Sequence, residues 1–337
     1  MDSLYLKALE RFNSLGFPTK KDEHWRFADL KFWSDSKLLQ HTNSFEDFKL
    51  EGAACEFFEE LLKGGKFDAY LAASFGNLKV FRVGEGEKKT LRGGFLSSVN
   101  AFILEEGAEL EILSQDFEES QNLKLQANCY FLAKSAKLKV NAFNKSNSPS
   151  YRRSDFFISE GAELSDVFIE AGSAQTRAER NYRILGENVK CDSAILTKSE
   201  GSITHDVRTR QVHSIGKSHS NVLLKSILGG ESKLAFMGLI DVCEAAQKTE
   251  TYQSCRALLL SKKAKAQASP ILEIMANDVS CSHGCAVARP DSEQIFYMQS
   301  RGLSEREAQE LLIGGFANEV LDRISDLEFK NAVLPRL

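Results

Sequence analysis

The chain opens with a helical pattern of apolar residues. Positions about 3.6 residues apart share one face of a helix, and here they are Tyr5, Ala8, Leu9 and Phe12. Gly16 and Pro18 end this first helix. A second helical pattern over residues 45–62 stops at the glycine pair 64–65. We therefore predict an N-terminal helical region over residues 1–65.

The pattern changes from Lys66 onward. Short apolar runs, separated by glycine, asparagine, serine and charged clusters, are typical of strands and turns. Examples are residues 70–72, 80–83 and 101–104. No long amphipathic helical pattern interrupts residues 66–290 of the sequence, so this segment is predicted to be mainly β-structure.

A weak internal repeat runs through the β-segment. In each copy a turn is followed by a small residue, a charged residue, an apolar residue and then a strand. The copies lie at residues 106–110, 134–138, 160–164, 187–191, 231–234 and 262–266. The third residues of the first four copies are 28, 26 and 27 positions apart: Ala108, Ala136, Ala162 and Val189.

This spacing favours a solenoid in which strands of successive coils pair with each other, a parallel β-helix over residues 66–290. The alternative is an antiparallel sandwich with recurrent turns. Sandwich strands usually recur about every 8–12 residues, so the wider spacing favours the β-helix.

The end of the chain, residues 291–337, is predicted to be helical. Asp291 with Gln294, and Ser304 with Glu307, have the spacing of capping boxes. The second helix carries an apolar stripe, for which we favour packing on the protein's own solenoid over binding of a partner. Its members are Ala308, Leu311, Leu312, Phe316, Val320 and Ile324.

Composition narrows the function classes. The net charge of −4 gives no field to attract nucleic acid or anionic lipid. No apolar run approaches the roughly 18 residues of a membrane span, and the N-terminus lacks a signal-peptide pattern. Seven cysteines, an odd and scattered set, do not suggest a disulfide framework. We expect a cytoplasmic protein with reduced thiols.

The segment with most chemical potential is residues 277–285. If it is a strand, Cys281, His283 and Cys285 share a face, since alternate residues do, and we expect the two thiols and the imidazole to converge. Thiolate and imidazole together suit iron, copper or zinc, but a closed site needs about four ligands. The three residues are therefore either structural or part of a metal site completed by another chain.

Three other histidines lie close together in sequence. His205, His213 and His219 match no metal-binding spacing, and we expect them to face outward into solvent. The sequence contains no nucleophile elbow and no nucleotide-binding loop. Any ATP chemistry must therefore come from a partner.

Seven segments, at both ends and in the centre of the chain, together carry a family resemblance: residues 16–19, 23–27, 247–249, 256–261, 269–274, 277–284 and 294–303. They resemble the SufD family of the SUF iron–sulfur cluster assembly system, within the SufB/SufD superfamily.

The resemblance implies a right-handed parallel β-helix with helical regions at both ends. It implies a scaffold that is not an enzyme, pairs with a SufB-like protein and binds a SufC-like ATPase through its C-terminal helices. His283 matches a histidine that faces the SufB-like subunit and helps to hold iron or a nascent Fe–S cluster, with Cys281 and Cys285 beside it. No cofactor is expected to be held by this chain alone.

Two further expectations concern surfaces. Aromatic and arginine side chains often anchor interfaces, so Phe296, Tyr297, Arg301 and Leu303 are the candidate contacts with the ATPase. An exposed solenoid end also allows the isolated chain to form a homodimer.

The chain departs from the family pattern at two positions, and two alternative functions remain open. Cys285 and Cys255 stand where the family usually has a small residue and an asparagine. The first alternative function is an interaction scaffold that touches no metal. The second is a β-helix enzyme acting on carbohydrates.

Overall fold

The computed structural model describes residues 4–15, 53–73, 78–93, 99–117, 123–145, 147–172 and 174–337. The family-like segments at residues 16–19 and 23–27, and the start of the second helical pattern, lie outside these residues.

Three helices precede the strands in the described part of the chain: α1 (Leu4–Ser14), α2 (Ala53–Lys63) and α3 (Lys66–Ala73). The prediction of a strand at residues 70–72 is therefore wrong. A three-residue apolar run is too short to distinguish a helix from a strand. Asp68 favours the helix, because its carboxylate accepts the Gly65 N–H at 2.9 Å at the start of α3.

Within the described residues, sixteen strands alternate between two eight-stranded sheets. The first sheet contains β1 (Lys79–Val83), β3 (Val99–Leu104), β5 (Lys124–Leu132), β7 (Ser150–Ile158), β9 (Thr176–Ile184), β11 (Thr204–His213), β13 (Lys233–Val242) and β15 (Lys265–Ile274). The second sheet contains β2 (Lys88–Arg92), β4 (Glu109–Asp116), β6 (Lys137–Asn144), β8 (Glu163–Gly172), β10 (Lys190–Ser199), β12 (His219–Leu228), β14 (Glu250–Leu259) and β16 (Ser280–Ala288).

Strands of successive coils pair in parallel in both sheets. Each coil therefore contributes one strand to each sheet, and its backbone groups pair with the coils before and after it. The prediction of a parallel β-helix is confirmed, and the antiparallel sandwich is excluded.

The sequence repeat marks the turn from the first sheet into the second. Each of these turns contains a residue with positive φ: Gly107, Ser135, Gly161 and Asn188 in successive coils. The N–H of each of the four donates to a carbonyl of the next coil at 2.8–3.0 Å. The turns are thus stacked, which explains the spacing of 26–28 residues.

The last two copies of the repeat belong to a different turn. Residues 231–234 and 262–266 lead into β13 and β15 of the first sheet, so they do not continue the earlier series. Both kinds of turn place a small buried residue before a strand, as Ala162 and Ser232 illustrate. This shared chemistry is why the sequence pattern joined them.

The interior between the sheets contains a column of aromatic rings. Successive rings stack at centroid distances of 4.9, 4.9, 4.6 and 5.1 Å, with planes within 12° of parallel. The rings are register partners on neighbouring strands: Phe81, Phe102, Tyr130, Phe156 and Tyr182. Parallel pairing in register brings similar side chains into contact and so builds the core.

Helices cover the outer faces of both sheets. Phe57, Phe58 and Leu61 of α2 pack with Val99 and Tyr151 on the first sheet. After β16 come α4 (Ser292–Ser300), α5 (Glu305–Leu321), α6 (Leu327–Val333) and a 3-10 helix (Leu334–Arg336). None of the described helices is both long and apolar enough to cross a membrane.

The C-terminal half of the predicted apolar stripe packs on the solenoid. Val320 and Ile324 are buried against the second sheet, together with Phe329 of α6. Leu311, nearer the start of α5, is 57% exposed. The predicted Ser304–Glu307 capping box is present at the start of α5.

Two histidines lie inside the solenoid. His205 and His213 are fully buried, so the expectation that they face outward is wrong, while His219 is half-buried. Strand alternation explains the error, because β11 directs Val207 and both histidines inward. His213 lies 3.0 Å from Ser218 Oγ and 2.7 Å from Ser220 Oγ through its two ring nitrogens. His205 has no hydrogen-bond partner within the described chain.

We predict that removing one ring of the aromatic column strongly destabilises the fold. Phe156 is fully buried, so Phe156→Ala should lower the free energy of unfolding by about 3–5 kcal/mol through lost burial and a cavity. Urea unfolding measures this change. Phe296→Ala is the matched control, since that ring is 72% exposed. Equal losses in the two variants would contradict the stacking role.

We also predict that stability falls as the pH is lowered through the acidic range. Burial lowers the pKa of both His205 and His213 to about 4, below the ordinary value of about 6.5. As the pH falls, the two histidines are therefore protonated in the unfolded chain before they are protonated in the folded protein. The free energy of unfolding is highest above about pH 6.5 and decreases as the pH falls towards about 4. Each histidine should contribute a loss of roughly 2 kcal/mol between about pH 7 and about pH 5.

Denaturant titrations at the two pH values test this. His205→Gln and His213→Gln should each make the fall in stability smaller by that amount. An unchanged fall in both variants would show that other groups cause the pH dependence.

Candidate functional site

The candidate site lies at the last coil of the solenoid. β15 and β16 are the terminal strands of their sheets, so among the described residues no further strand pairs with one edge of each. Such an edge is a template for another strand. The predicted metal-ligating residues lie on β16, directly at this edge.

The strand register places Cys281, His283 and Cys285 on one face of β16, as expected. Their partners on β14 are Thr251, Gln253 and Cys255, all of which are buried inside the solenoid. Paired residues of parallel strands share a face, so the three side chains point inward at an end that no later coil covers. His283 and Cys285 are exposed there, and Cys281 is half-buried.

The three side chains do not converge on one point. The described residues contain no group of three or more histidine, cysteine or acidic side chains that could hold a metal ion. Alternate residues of a strand are about 6.7 Å apart along the chain, which separates their donor atoms too widely. The set offers the soft and borderline donors that iron uses, but ligands from another chain are needed to complete a site.

Cys285 has a second thiol beside it. Cys255 is its register partner on β14, so the two thiols are neighbours on the inward face. Burial, reinforced by the Cys285 thiol, raises the pKa of Cys255 to about 12. The sequence shows two cysteines 30 positions apart with no sign that they are neighbours. They become neighbours because one coil of the solenoid separates them.

Cys281 is in a different environment. It packs with Val279 and Leu272 against a small apolar cluster at the end of the first sheet. Burial raises the pKa of its thiol. Cys281 is therefore partly a packing residue, whereas His283 and Cys285 are the more accessible donors.

The predicted partner-contact residues lie on and after α4. Phe296 and Tyr297 are 72% and 58% exposed, and α4 contains no buried residue. The Arg301 guanidinium donates to Tyr297 Oη at 3.1 Å and lies 5.2 Å from the ring centroid. Leu303 is half-buried. These residues form an exposed aromatic and cationic surface at the protein's C-terminal side.

Sequence reasoning missed a charged cleft between α3 and the first sheet. Its volume is about 640 Å³, and Arg153, Arg177 and Asp68 are among the residues that line it. Arg153 pairs with Asp68 at 3.2 Å, and Tyr151 Oη donates to the same carboxylate at 2.8 Å. Burial raises the pKa of Asp68 even though Arg153 opposes the shift. These contacts attach α3 to the solenoid, and isolated arginines in a strand pattern gave no signal for them.

Comparisons with known proteins identify the family of this chain. Residues 88–316 match the family model described as SUF system FeS cluster assembly, SufBD core domain. The Iron-sulfur cluster assembly protein SufD of Escherichia coli (strain K12) is 34% identical over 196 residues, which cover 58% of this chain and 46% of that protein.

Two further relatives extend the comparison. The Iron-sulfur cluster assembly protein SufD of Bacillus subtilis (strain 168) is 31% identical over 150 residues, covering 44% of this chain and 34% of the relative. Protein ABCI7, chloroplastic, of Arabidopsis thaliana is 28% identical over 255 residues, covering 74% of this chain and 53% of the relative. The chain thus spans about half the length, or less, of the curated relatives it matches. The family model covers more than half of the chain, and the chain belongs to the SufBD family of SUF-system iron–sulfur cluster assembly proteins, as a SufD-type member.

Proposed function

We propose that this chain is a non-catalytic scaffold subunit of a cytoplasmic SUF complex. It pairs through the end of its solenoid with a SufB-like protein and binds a SufC-like ATPase through its C-terminal helices. The observation that carries this proposal is the uncovered last coil, where Cys281, His283 and Cys285 point inward from a terminal strand. All seven cysteines are free thiols, which suits a reducing compartment.

The end of the solenoid suits a partner of the same architecture. β15 and β16 are both terminal strands, so a related subunit can continue hydrogen bonding in both sheets. Pairing would cover the inward side chains of β16 and remove them from bulk water. The same surface lets the isolated chain form a homodimer.

The cargo at this interface would be iron or a transient Fe–S cluster. A neutral imidazole can bind iron through one ring nitrogen when an acceptor holds the other. His283 is the central donor of the three on β16, and Cys285 is the exposed thiol nearest to it along the inward face. Because the three do not converge, the partner must supply the remaining ligands.

The C-terminal helices suit the ATPase contact. Phe296 and Tyr297 are exposed on α4, a helix that contains no buried residue. The following helix, α5, has its C-terminal part buried against the second sheet at Val320 and Leu321. Movement of an ATPase bound at α4 is thereby relayed through residues 291–324 to the solenoid.

We predict that co-expression with the SufB-like and SufC-like proteins of the same organism gives a stable complex of all three. Tyr297→Ala combined with Arg301→Ala should weaken binding of the ATPase by about thirtyfold or more, the loss of an interface hot spot of about 2 kcal/mol. Size exclusion with light scattering gives the composition, and titration of the ATPase gives the affinity.

Arg306→Ala combined with Leu327→Ala is the control, because both side chains are exposed and neither belongs to α4. It should leave ATPase binding unchanged. If this chain elutes alone while the other two proteins still pair, the scaffold function is wrong. If the complex forms but the Tyr297 and Arg301 variant binds the ATPase normally, the ATPase contacts a different surface.

We predict that His283→Ala lowers the iron and sulfide content of the anaerobically purified complex, because one imidazole donor is removed from the interface. His219→Ala is the matched control, since it removes a half-buried histidine from another coil. Metal analysis and sulfide assay measure the change. Normal content in the His283→Ala complex would remove the ligand role and leave an interaction scaffold that touches no metal.

A further inference from the structure

The cysteine pair at the last coil has a geometry that the proposed metal role does not use. Cys255 on β14 and Cys285 on β16 are register partners. Both point into the solenoid, yet Cys255 is only 2% exposed while Cys285 is exposed. One thiol of the pair is therefore accessible to a reagent, and the other is shielded behind it.

The strand geometry suits a bond between the two sulfur atoms. Neighbouring strands are about 4.8 Å apart, within the range of about 4.4–6.8 Å between the Cα atoms of a disulfide. β16 is the terminal strand of its sheet, so it can tilt toward β14 without displacing a further coil.

The other nearby cysteines lack this arrangement. Cys281 has Thr251 as its register partner, and it packs into the apolar cluster at the end of the first sheet. Cys243 lies in the turn after β13, on the other sheet. The register thus selects one pair of the four cysteines in this part of the solenoid.

We propose that Cys255 and Cys285 form a reversible disulfide when the unassembled chain meets a low-molecular-weight disulfide such as glutathione disulfide. The Cys285 thiolate attacks one sulfur of the oxidant, and a glutathione thiolate leaves. The Cys255 thiol then gives up its proton and attacks the Cys285 sulfur of the mixed disulfide, and the second glutathione thiolate leaves. Two protein thiols are oxidised, and the oxidant is reduced to two molecules of glutathione.

The order of attack follows from accessibility. Cys285 is reached from the open end of the solenoid, whereas β16 and the interior shield Cys255. The mixed disulfide at Cys285 is short-lived, because Cys255 is held next to it at an effective concentration far above that of free glutathione. Cys255 is thus the resolving thiol of the pair.

This disulfide deepens the proposed function and rests on it for its biological meaning. Oxidation takes Cys285 out of the donor set on β16 and joins the last two strands of the second sheet. An oxidised chain would thus present His283 to a partner without an adjacent free thiol. The chemistry itself is tested on the isolated chain without iron or partners, so its failure and the failure of the scaffold function are distinguishable.

The test uses the full chain, reduced, freed of reductant and equilibrated with glutathione disulfide. Mass spectrometry of peptides prepared without reduction should find Cys255 linked to Cys285 as the main oxidised product, and dithiothreitol should reverse it. In Cys255→Ser the mixed disulfide at Cys285 should rise about tenfold or more over wild type. In Cys285→Ser, Cys255 should remain unmodified because it is shielded.

Cys281→Ser is the matched control and should leave the cross-link intact. A lasting mixed disulfide at Cys285 in the wild-type chain would overturn the proposal, since it would show that Cys255 cannot reach it. A main cross-link from Cys281 to either Cys285 or Cys243 would overturn it equally. If Cys255→Ser unfolds, the Cys285→Ser and Cys281→Ser arms still decide between these outcomes.

Discussion

The constraint on which the rest of this structure depends is the parallel pairing of each coil with the next in register. Hydrogen bonds between coils hold the strands in place, and hydrogen bonds between the stacked turns from Gly107 to Asn188 hold the turns in place. Once the register is set, side chains at equivalent positions must stack. The aromatic column through Phe156, with neighbouring rings 4.6 and 5.1 Å away, is a direct result. Core packing here follows from backbone pairing and then reinforces it.

The same constraint places polar groups where a compact globular core would rarely accept them. β11 must alternate, so His205 and His213 enter the interior together with Val207. On the outer face, Arg177 meets Asp206 at 2.8 Å under the N-terminal helices. Buried charges are costly unless they are paired and hydrogen-bonded. The solenoid pairs them through register, because an arginine on one strand lies beside an acid on the next.

The sequence predicts the features that depend on local chemistry. Turn residues repeat visibly, so the solenoid and its coil length could be inferred, and the Ser304 capping box marks the start of α5. Features set by register between distant residues were hidden. Coils vary in length, so no fixed spacing reveals that Cys255 lies beside Cys285, or that the repeat at Ser232 belongs to the other turn.

The inward direction of His205 was hidden for a related reason, since alternation shows two faces of a strand without showing which is inside. The sequence correctly placed Cys281, His283 and Cys285 on one face of a strand. Their side chains do not converge on one point, because alternate residues of a strand are too far apart.

A solenoid held together by pairing between coils must end on a coil that has no successor. At that coil the backbone of β16 presents an edge, and residues that would be interior anywhere else, His283 and Cys285, become accessible. The chemistry that we propose for this end of the chain therefore does not need a specially built pocket. It arises because an interior face, with its donors already aligned by register, is exposed where stacking stops. Under the proposed function, a partner that continues the stacking would enclose those donors, so assembly and the completion of a metal site would be one event.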